Sequence, residues 1–506
     1  MNLPGGQLAH AERNRPRCGT NETFDSTSTF IGSERCDKWT EVKAFEYQLS
    51  ADDSLSSHPA SATGDETGQP FHEQATPRRW QSFCLHWLTA YRVLIFVIIL
   101  INVGTMIAQL VANPAVEASL TAAAVNIMTA VVLRQEDLIN FSFKLISKLP
   151  PSLPLSIRKT VSDFHHYGGA HIGCALSAML WYIMFTRLNT GRVLGLLSLG
   201  HMTALLYIDI VTSYTVLLAI LVVCLTAIPR FRARFHNTFE ATHRFGGWAT
   251  LIILWMHAGI TTLTPDASVP LYAHPSLWLL ALTTLLLVLP WLRIRSVPIT
   301  AHRLSARELE LSFPHARMPH TCTLRFSSAP LTEWHAFATI PASGSTSKII
   351  VSKAGDWTAR VFANPPERLW IRDPPTLNFL AFVPLFKAVL LVATGAGIAP
   401  VLSLLCSPAM QRMNAERRKV RVMWCVADPY AAHWSFAMEA IKGVDKQAVV
   451  FDSRVARPDV AFETRWLAER ANVEAVFVVS NPRVTNEVVR ECKVGGLAAY
   501  GAVFDS

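Results

Sequence analysis

The chain has 506 residues, of which 51% are hydrophobic and only 16% charged, with a formal net charge of +9. Ordinary soluble domains carry about 25% charged residues, so a wholly soluble chain and a disordered one are both excluded. Its nine cysteines form no Cys-x-x-Cys pair, which speaks against a disulfide scaffold, a zinc ribbon or an iron–sulfur cluster.

In chain order, residues 1–80 are rich in Ser, Thr, Asp and Glu without sustained apolar periodicity, and are expected to form a disordered cytoplasmic tail. No charged segment followed by a short apolar one opens the chain, so a cleaved signal peptide is not expected. Six membrane spans are predicted within a domain at 88–295, over residues 93–111, 118–133, 170–185, 210–228, 245–264 and 276–292. Asp209 interrupts the apolar run before the fourth, either at an interface, in a re-entrant segment or as a functional intramembrane acid. Basic residues, among them Arg134, Lys144, Arg158, Arg230 and Arg293, fall on one side of this arrangement. A multi-pass protein with both termini cytoplasmic follows, in the plasma membrane or an internal one. The expected partner of the positive charge is therefore the lipid bilayer and not nucleic acid.

After Arg295 the pattern changes. Short β-prone runs at 321–326, 335–340, 348–351 and 359–362 predict a small antiparallel barrel or sandwich over 300–382. From 385 to 506, apolar runs at 388–393, 420–426, 448–451 and 475–479 alternate with helical stretches, as in a doubly wound parallel α/β domain. The run Lys387-Ala-Val-Leu-Leu-Val-Ala-Thr-Gly-Ala-Gly-Ile-Ala-Pro400 leads a buried strand into Gly395 and Gly397 and then a helix. Such a turn lets backbone approach a pyrophosphate at a helix N-terminus. Pro400 suits a first helical turn, where its missing N–H costs nothing.

This segment resembles the ferredoxin-reductase superfamily, in which a TGxGIxP motif binds a nicotinamide dinucleotide downstream of a flavin-binding barrel. The resemblance implies that Thr394, Gly395, Gly397, Ile398 and Pro400 contact NAD(P)H. The flavin signature of the membrane branch, Trp-His-Pro-Phe-Ser/Thr, is approximated by Trp334-His335-Ala336-Phe337-Ala338-Thr339. This implies FAD contacts from His335 and Phe337, with Thr339 supplying the hydroxyl. Lys353-Ala-Gly-Asp-Trp-Thr358 fits the barrel segment that follows. Where the family has Cys-Gly-Pro, this chain has Ser480-Asn481-Pro482, so Ser480 takes the catalytic position beside the nicotinamide. Phe504 would either cover the flavin or pack at a strand end. Asp428, ending the second strand, favours NADH through a ribose hydroxyl, whereas Arg454 would favour a 2′-phosphate.

Phe164-His165-His166-Tyr167-Gly168-Gly169 and Thr242-His243-Arg244-Phe245-Gly246-Gly247 look like repeats at the openings of two spans. His257 follows His243 by fourteen positions, a rise of about 21 Å that returns nearly to the same helix face. This resembles the six-helix ferric reductase and NADPH oxidase superfamily, whose paired His-x13-His helices hold two stacked haems. The resemblance implies His165 and His243 as inner ligands and His257 as an outer one. The fourth position is Met179, with His171 and His201 as substitutes, so one haem b is expected. Within that superfamily the chain looks most like fungal TmpA-type membrane flavoproteins, associated with development signalling and secondary metabolism. The expected function is electron transfer from NAD(P)H through FAD to membrane haem and an unknown acceptor. The alternative is a catalytically degenerate flavoprotein acting in signalling or as a scaffold, and a transporter with a cytosolic regulatory domain is a third reading.

Overall fold

The computed structural model describes Phe83 and residues 87–502, apart from positions 202, 265, 267, 268, 343 and 344. The tail at 1–80 and Phe504 lie outside the described residues.

The first half is helical: α1 (Ala90–Ala112), α2 (Val116–Val132), α3 (Glu136–Ser147), α4 (Leu155–Ser162), α5 (Gly168–Ser198), α6 (Ala204–Thr226), α7 (Pro229–Arg234), α8 (His236–Thr261) and α9 (Pro275–Val288). Among the described residues, four helical segments, Ala90–Ala112, Gly168–Ser198, Ala204–Thr226 and Pro275–Arg293, are long and apolar enough to cross a membrane. A fifth would join α2 to α3 across a 65° bend. Six full spans do not emerge, for two reasons. With 17 residues, α2 reaches only about 26 Å along its axis. The first turns of α8 carry His236, Glu240, His243 and Arg244.

The helices meet through small and polar residues, as apolar helices do where side-chain hydrophobicity cannot drive association. Gly169 allows α5 to lie against the backbone of Tyr91, and a Cβ at Gly173 would touch Ile98 at 3.0 Å. In the second Gly-Gly pair a Cβ at Gly246 would come within 3.2 Å of Val223, while one at Gly247 would meet nothing within 4 Å. The Asn102 carboxamide oxygen accepts from Trp181 Nε1 at 2.9 Å and from Asn126 Nδ2 at 2.8 Å, tying α1, α2 and α5 together. Asp209, within α6, is fully buried. It pairs with Arg192 and accepts from Asn189 at 2.9 Å, so its charge is matched inside the bundle.

Two antiparallel four-stranded sheets follow, β1–β8–β4–β5 and β2–β3–β7–β6. Their strands are β1 (Ile294–Pro298), β2 (Thr300–Arg303), β3 (Glu308–Pro314), β4 (Cys322–Ser327), β5 (His335–Ala338), β6 (Ile340–Pro341), β7 (Thr346–Ser352) and β8 (Arg368–Leu377). Alternation sets the inner face: in β3, Leu309, Leu311 and Phe313 are buried while Glu308, Glu310 and Ser312 turn outward. Residues 359–362 are not a strand but part of α10 (Asp356–Ala363). Trp357, Val361 and Phe362 are its buried residues, a helical spacing. The Thr358 hydroxyl accepts from the backbone N–H of Ala354 and Gly355, which starts the helix.

The last unit is a five-stranded parallel sheet of order β11–β10–β9–β12–β13. Its elements are β9 (Ala388–Thr394), α11 (Ile398–Leu405), α12 (Pro408–Ala415), β10 (Lys419–Val426), α13 (Ser435–Val444), β11 (Val449–Asp452), α14 (Val460–Arg470), β12 (Ala475–Val479), α15 (Pro482–Val494) and β13 (Ala498–Gly501). β9 is apolar throughout because both faces are covered: Val389, Leu391 and Ala393 enter one core, Leu390 and Val392 the other.

The stretch between the second and third predicted spans is a docking element, not a basic loop. Phe143 of α3 stacks on Phe382 at 4.6 Å. Asn140 donates to the Pro375 carbonyl and accepts from Leu377 N–H, both at 2.8 Å, serving the backbone of β8. Arg158 is buried, and its guanidinium meets Glu474 through two hydrogen bonds of 2.6 and 3.0 Å.

Candidate functional site

The crevice of an open parallel sheet lies where successive connections leave in opposite directions. Here that point falls between β9 and β12, which are neighbours while β10 lies on the other side of β9. Both strand ends carry hydroxyls: Thr394 Oγ1 and Ser480 Oγ are 2.5 Å apart. Gly395 has φ +52°, a left-handed conformation, and a Cβ there would meet nothing within 4 Å. The Trp424 indole N–H donates to the Gly395 carbonyl at 3.1 Å and fixes the turn. Gly397 serves a different purpose, since its Cβ would sit 2.5 Å from the Val479 carbonyl oxygen. It is a packing glycine between the turn and β12. Ile398 is fully buried in the core beneath α11, and Pro400 is the third residue of that helix. Asn481 caps α15 by accepting from Val484 N–H at 3.0 Å, which accounts for the Asn-Pro in place of Gly-Pro.

Beyond β10, Asp428 sits at φ +53°. Its carboxylate pairs with Arg454 at 2.8 Å, and Arg454 pairs also with Asp452 at 2.6 Å. One guanidinium is thus held between two carboxylates. The hydrogen bonds from Arg454 hold Asp452 down to about 2.

On the barrel, β5 is an edge strand. His335 stacks on Trp357 at 4.4 Å with Nε2 3.4 Å from Glu333, and Phe337 lies 5.6 Å from the same indole. Thr339 does not take the position expected of it. It is fully buried, with its hydroxyl 3.0 Å from the Cys322 thiol. Moving a hydroxyl one residue along an extended chain turns it to the opposite face.

The sequence reading missed a charge cluster beside this strand. Arg325 of β4 and Arg372 of β8 both bond Glu136 of α3, at 2.5 and 2.9 Å. Arg372 lies 5.5 Å over the Trp334 ring, and its Nε is buried without a hydrogen-bond partner. Burial, with Arg325 beside it, pushes this guanidinium down to about 10. Two cations on one carboxylate leave an excess positive charge, which fits an anionic group such as a diphosphate. Glu136 lies 189 positions from Arg325 and 236 from Arg372, so no local motif announces the cluster.

In the helical half, the expected pairing of His165 with His243 is not formed. His165 lies in a short 3-10 turn, Asp163–His166, ahead of α5. Its ring neighbours are His166 at 3.9 Å, Tyr500 at 5.7 Å and Phe379 at 6.0 Å, the last two on the C-terminal module. Burial, with His166 beside it, pushes its imidazole down to about 3. The ring facing His243 is that of His171, with centroids 6.4 Å apart. His171 donates Nδ1–H to the Ala130 carbonyl at 2.9 Å, which leaves Nε2 with a free lone pair. A metal-bound imidazole nitrogen lies about 2 Å from its ion, so two rings sharing one iron fit this separation. Counting fourteen on from His171 gives Phe185, not Met179. Phe185 faces His257 at 5.7 Å, and a phenyl ring offers no ligand atom. Met179 is half-buried on α5. His171 lies six residues beyond His165.

Residues 379–506 match a family model described as the C-terminal domain of adenylate-forming reductase 03009. Among curated proteins, adenylate-forming reductase 03009 of Coprinopsis cinerea is 35% identical over 388 residues, covering 75% of this chain and 36% of that protein. Adenylate-forming reductase 06235 of the same fungus is 33% identical over 425 residues, covering 82% and 40%. The chain therefore spans well under half the length of these relatives. Solved structures that align include a ferredoxin NADP+ reductase from Neisseria gonorrhoeae, at 15% identity and TM-score 0.31 over 40% of this chain and 91% of that one. A flavohemoglobin from Malassezia yamatoensis aligns at 12% identity and TM-score 0.36, over 74% and 98%.

Proposed function

We propose that this chain is a membrane-bound, NAD(P)H-dependent flavoprotein reductase that delivers electrons to a single haem b between α5 and α8. The observation that carries it is the His171–His243 pair, set 6.4 Å apart with the outer nitrogen of His171 anchored. The reductase names of both curated relatives support it, as do the ferric-reductase-like and TmpA-like sequence features.

In this reading Gly395 and the N-terminus of α11 receive the dinucleotide diphosphate, and Thr394 and Ser480 border its nicotinamide. Arg325 and Arg372 hold the flavin diphosphate, while His335 and Phe337 line the isoalloxazine side. FAD would convert hydride transfer into single-electron steps, and haem would carry the electron onward. The chain's own residues bind, orient and exclude water. A lone carrier at the His171 level does not cross the bilayer, so the acceptor lies within the membrane or on the cytoplasmic side. A fungal role in secondary metabolism or development accords with the resemblance.

The test is an absorption spectrum of the detergent-purified chain before and after anaerobic NADH or NADPH. Loss of a flavin band together with a shift of a Soret band supports the reading. A colourless protein would overturn it and favour the scaffold alternative.

A further inference from the structure

A cavity of about 250 Å³ opens among α2, α5, α8 and α9, at the level of His257 and not of His243. Its walls are mainly apolar, with Ala123, Leu254, Leu280 and Phe185 among them. Two of its polar lining side chains are buried with an unpaired atom. His257 is 2% exposed and Tyr182 fully buried, and His257 Nε2 and the Tyr182 hydroxyl have no hydrogen-bond partner.

The orientation of His257 is set from behind. Thr212 of α6 donates its hydroxyl proton to the Ile208 or Asp209 carbonyl, so its oxygen accepts Nδ1–H of His257 at 3.0 Å. No α6 residue lines the cavity. With Nδ1 turned to α6, where Asp209 Oδ1 also lies 3.4 Å away, Nε2 turns to the cavity and in the neutral ring presents a lone pair. Tyr182 adds a hydroxyl able to donate or accept. Unpaired buried polar groups are costly, and two in one apolar chamber mark a place for a molecule with matching polar atoms. Arg192–Asp266 at 2.7 Å and Glu117–His274 at 3.2 Å form a charged rim among the lining residues.

We propose that this cavity binds a lipid-soluble hydroxyaryl compound of the quinol class, with a ring hydroxyl donating to His257 Nε2 and an oxygen bonded to Tyr182. A cavity of about 150 Å³ accommodates benzene, so this one suits a single substituted ring flanked by Phe185 and Tyr182. Phe185 denies the cavity a second metal ligand opposite His257. A quinol is already reduced, so its binding here involves no electron transfer and does not depend on the reductase reading; only the use of its oxidised form, the quinone, as an electron acceptor would rest on that reading.

The test is therefore run without NAD(P)H. Duroquinol is titrated calorimetrically, under argon, into the detergent-purified full chain. One equivalent should bind, and His257→Leu and Tyr182→Phe should each weaken it by about tenfold, the effect of one lost buried hydrogen bond. Ala123→Leu should abolish binding by filling the chamber. Tyr182→Phe removes a single oxygen and keeps the test decisive if a bulkier change impairs folding. No binding to the wild-type chain, or equal affinity in all four proteins, would overturn the proposal. So would loss of haem absorbance on His257→Leu, which would make the chamber a haem pocket. Failure of NAD(P)H reduction with duroquinol binding intact would count against the reductase reading alone.

Discussion

The imidazole of His171 faces that of His243 across 6.4 Å, and the nitrogen it turns away donates to the Ala130 carbonyl at 2.9 Å. A carbonyl partner of this kind fixes both the tautomer and the ring plane of a metal-ligating histidine. The same two helices, fourteen residues further on, set Phe185 against His257. One level can share an iron between two rings, and the other cannot.

The two glycines of the nucleotide turn should behave differently. Gly397→Ala drives a Cβ against the Val479 carbonyl, displacing the turn from β12 and lowering the melting temperature. Gly395→Ala meets no neighbour and costs only about 1–2 kcal/mol for its left-handed backbone. Thermal unfolding of both variants checks this, and equal stability would contradict the packing role of Gly397.

The two carboxylates that hold Arg454, Asp428 and Asp452, should make the chain prefer NADH. Its charge is already shared between Asp428 and Asp452, so a 2′-phosphate would meet a net negative edge. Asp428→Ala removes one competitor and should raise the ratio of kcat/KM for NADPH over NADH several-fold. An unchanged ratio would remove this pair from specificity.

Arg372→Gln should reduce bound FAD more than His335→Ala does. The guanidinium carries the excess charge of the cluster, whereas His335 already stacks on Trp357. Flavin content per folded protein measures both.

Glu474 ties α4 to the parallel sheet, accepting from Arg158 and from Lys387 N–H. Burial alone would raise its carboxyl, but these bonds hold it below the ordinary 4.5. Its contribution is therefore present above that value and lost as pH falls through the lower folded value. Glu474→Gln leaves Arg158 buried without a counter-charge and should cost about 3 kcal/mol. A chain whose unfolding midpoint is unmoved by the substitution would show that this joint carries no load.

The alternating apolar runs of the parallel sheet were readable because burial on both faces leaves continuous hydrophobic strands, and four predicted runs coincide with β9 to β12. The antiparallel half was less legible. Residues 359–362 look β-prone, yet the capping by Thr358 and the spacing of Trp357 and Val361 make them helical. Arg158 reads only as a basic residue beside the spans, and Glu136 and Asn140 give no signal of docking, because their partners, Glu474, Arg372 and Leu377, lie more than two hundred positions away. The histidine register failed for a different reason. His165 and His171 both precede or open the same helix, and only the packing of α5 against its neighbours decides which ring reaches α8.

The haem ligands test the account most directly. Pyridine haemochrome analysis of the purified chain and of three variants, with protein measured in parallel, should give one b-type haem per wild-type chain. His171→Ala and His243→Ala should each remove essentially all of it, while His165→Ala retains it. A wild-type value near two, a value near zero, or loss of haem on His165→Ala with retention on His171→Ala would contradict the account.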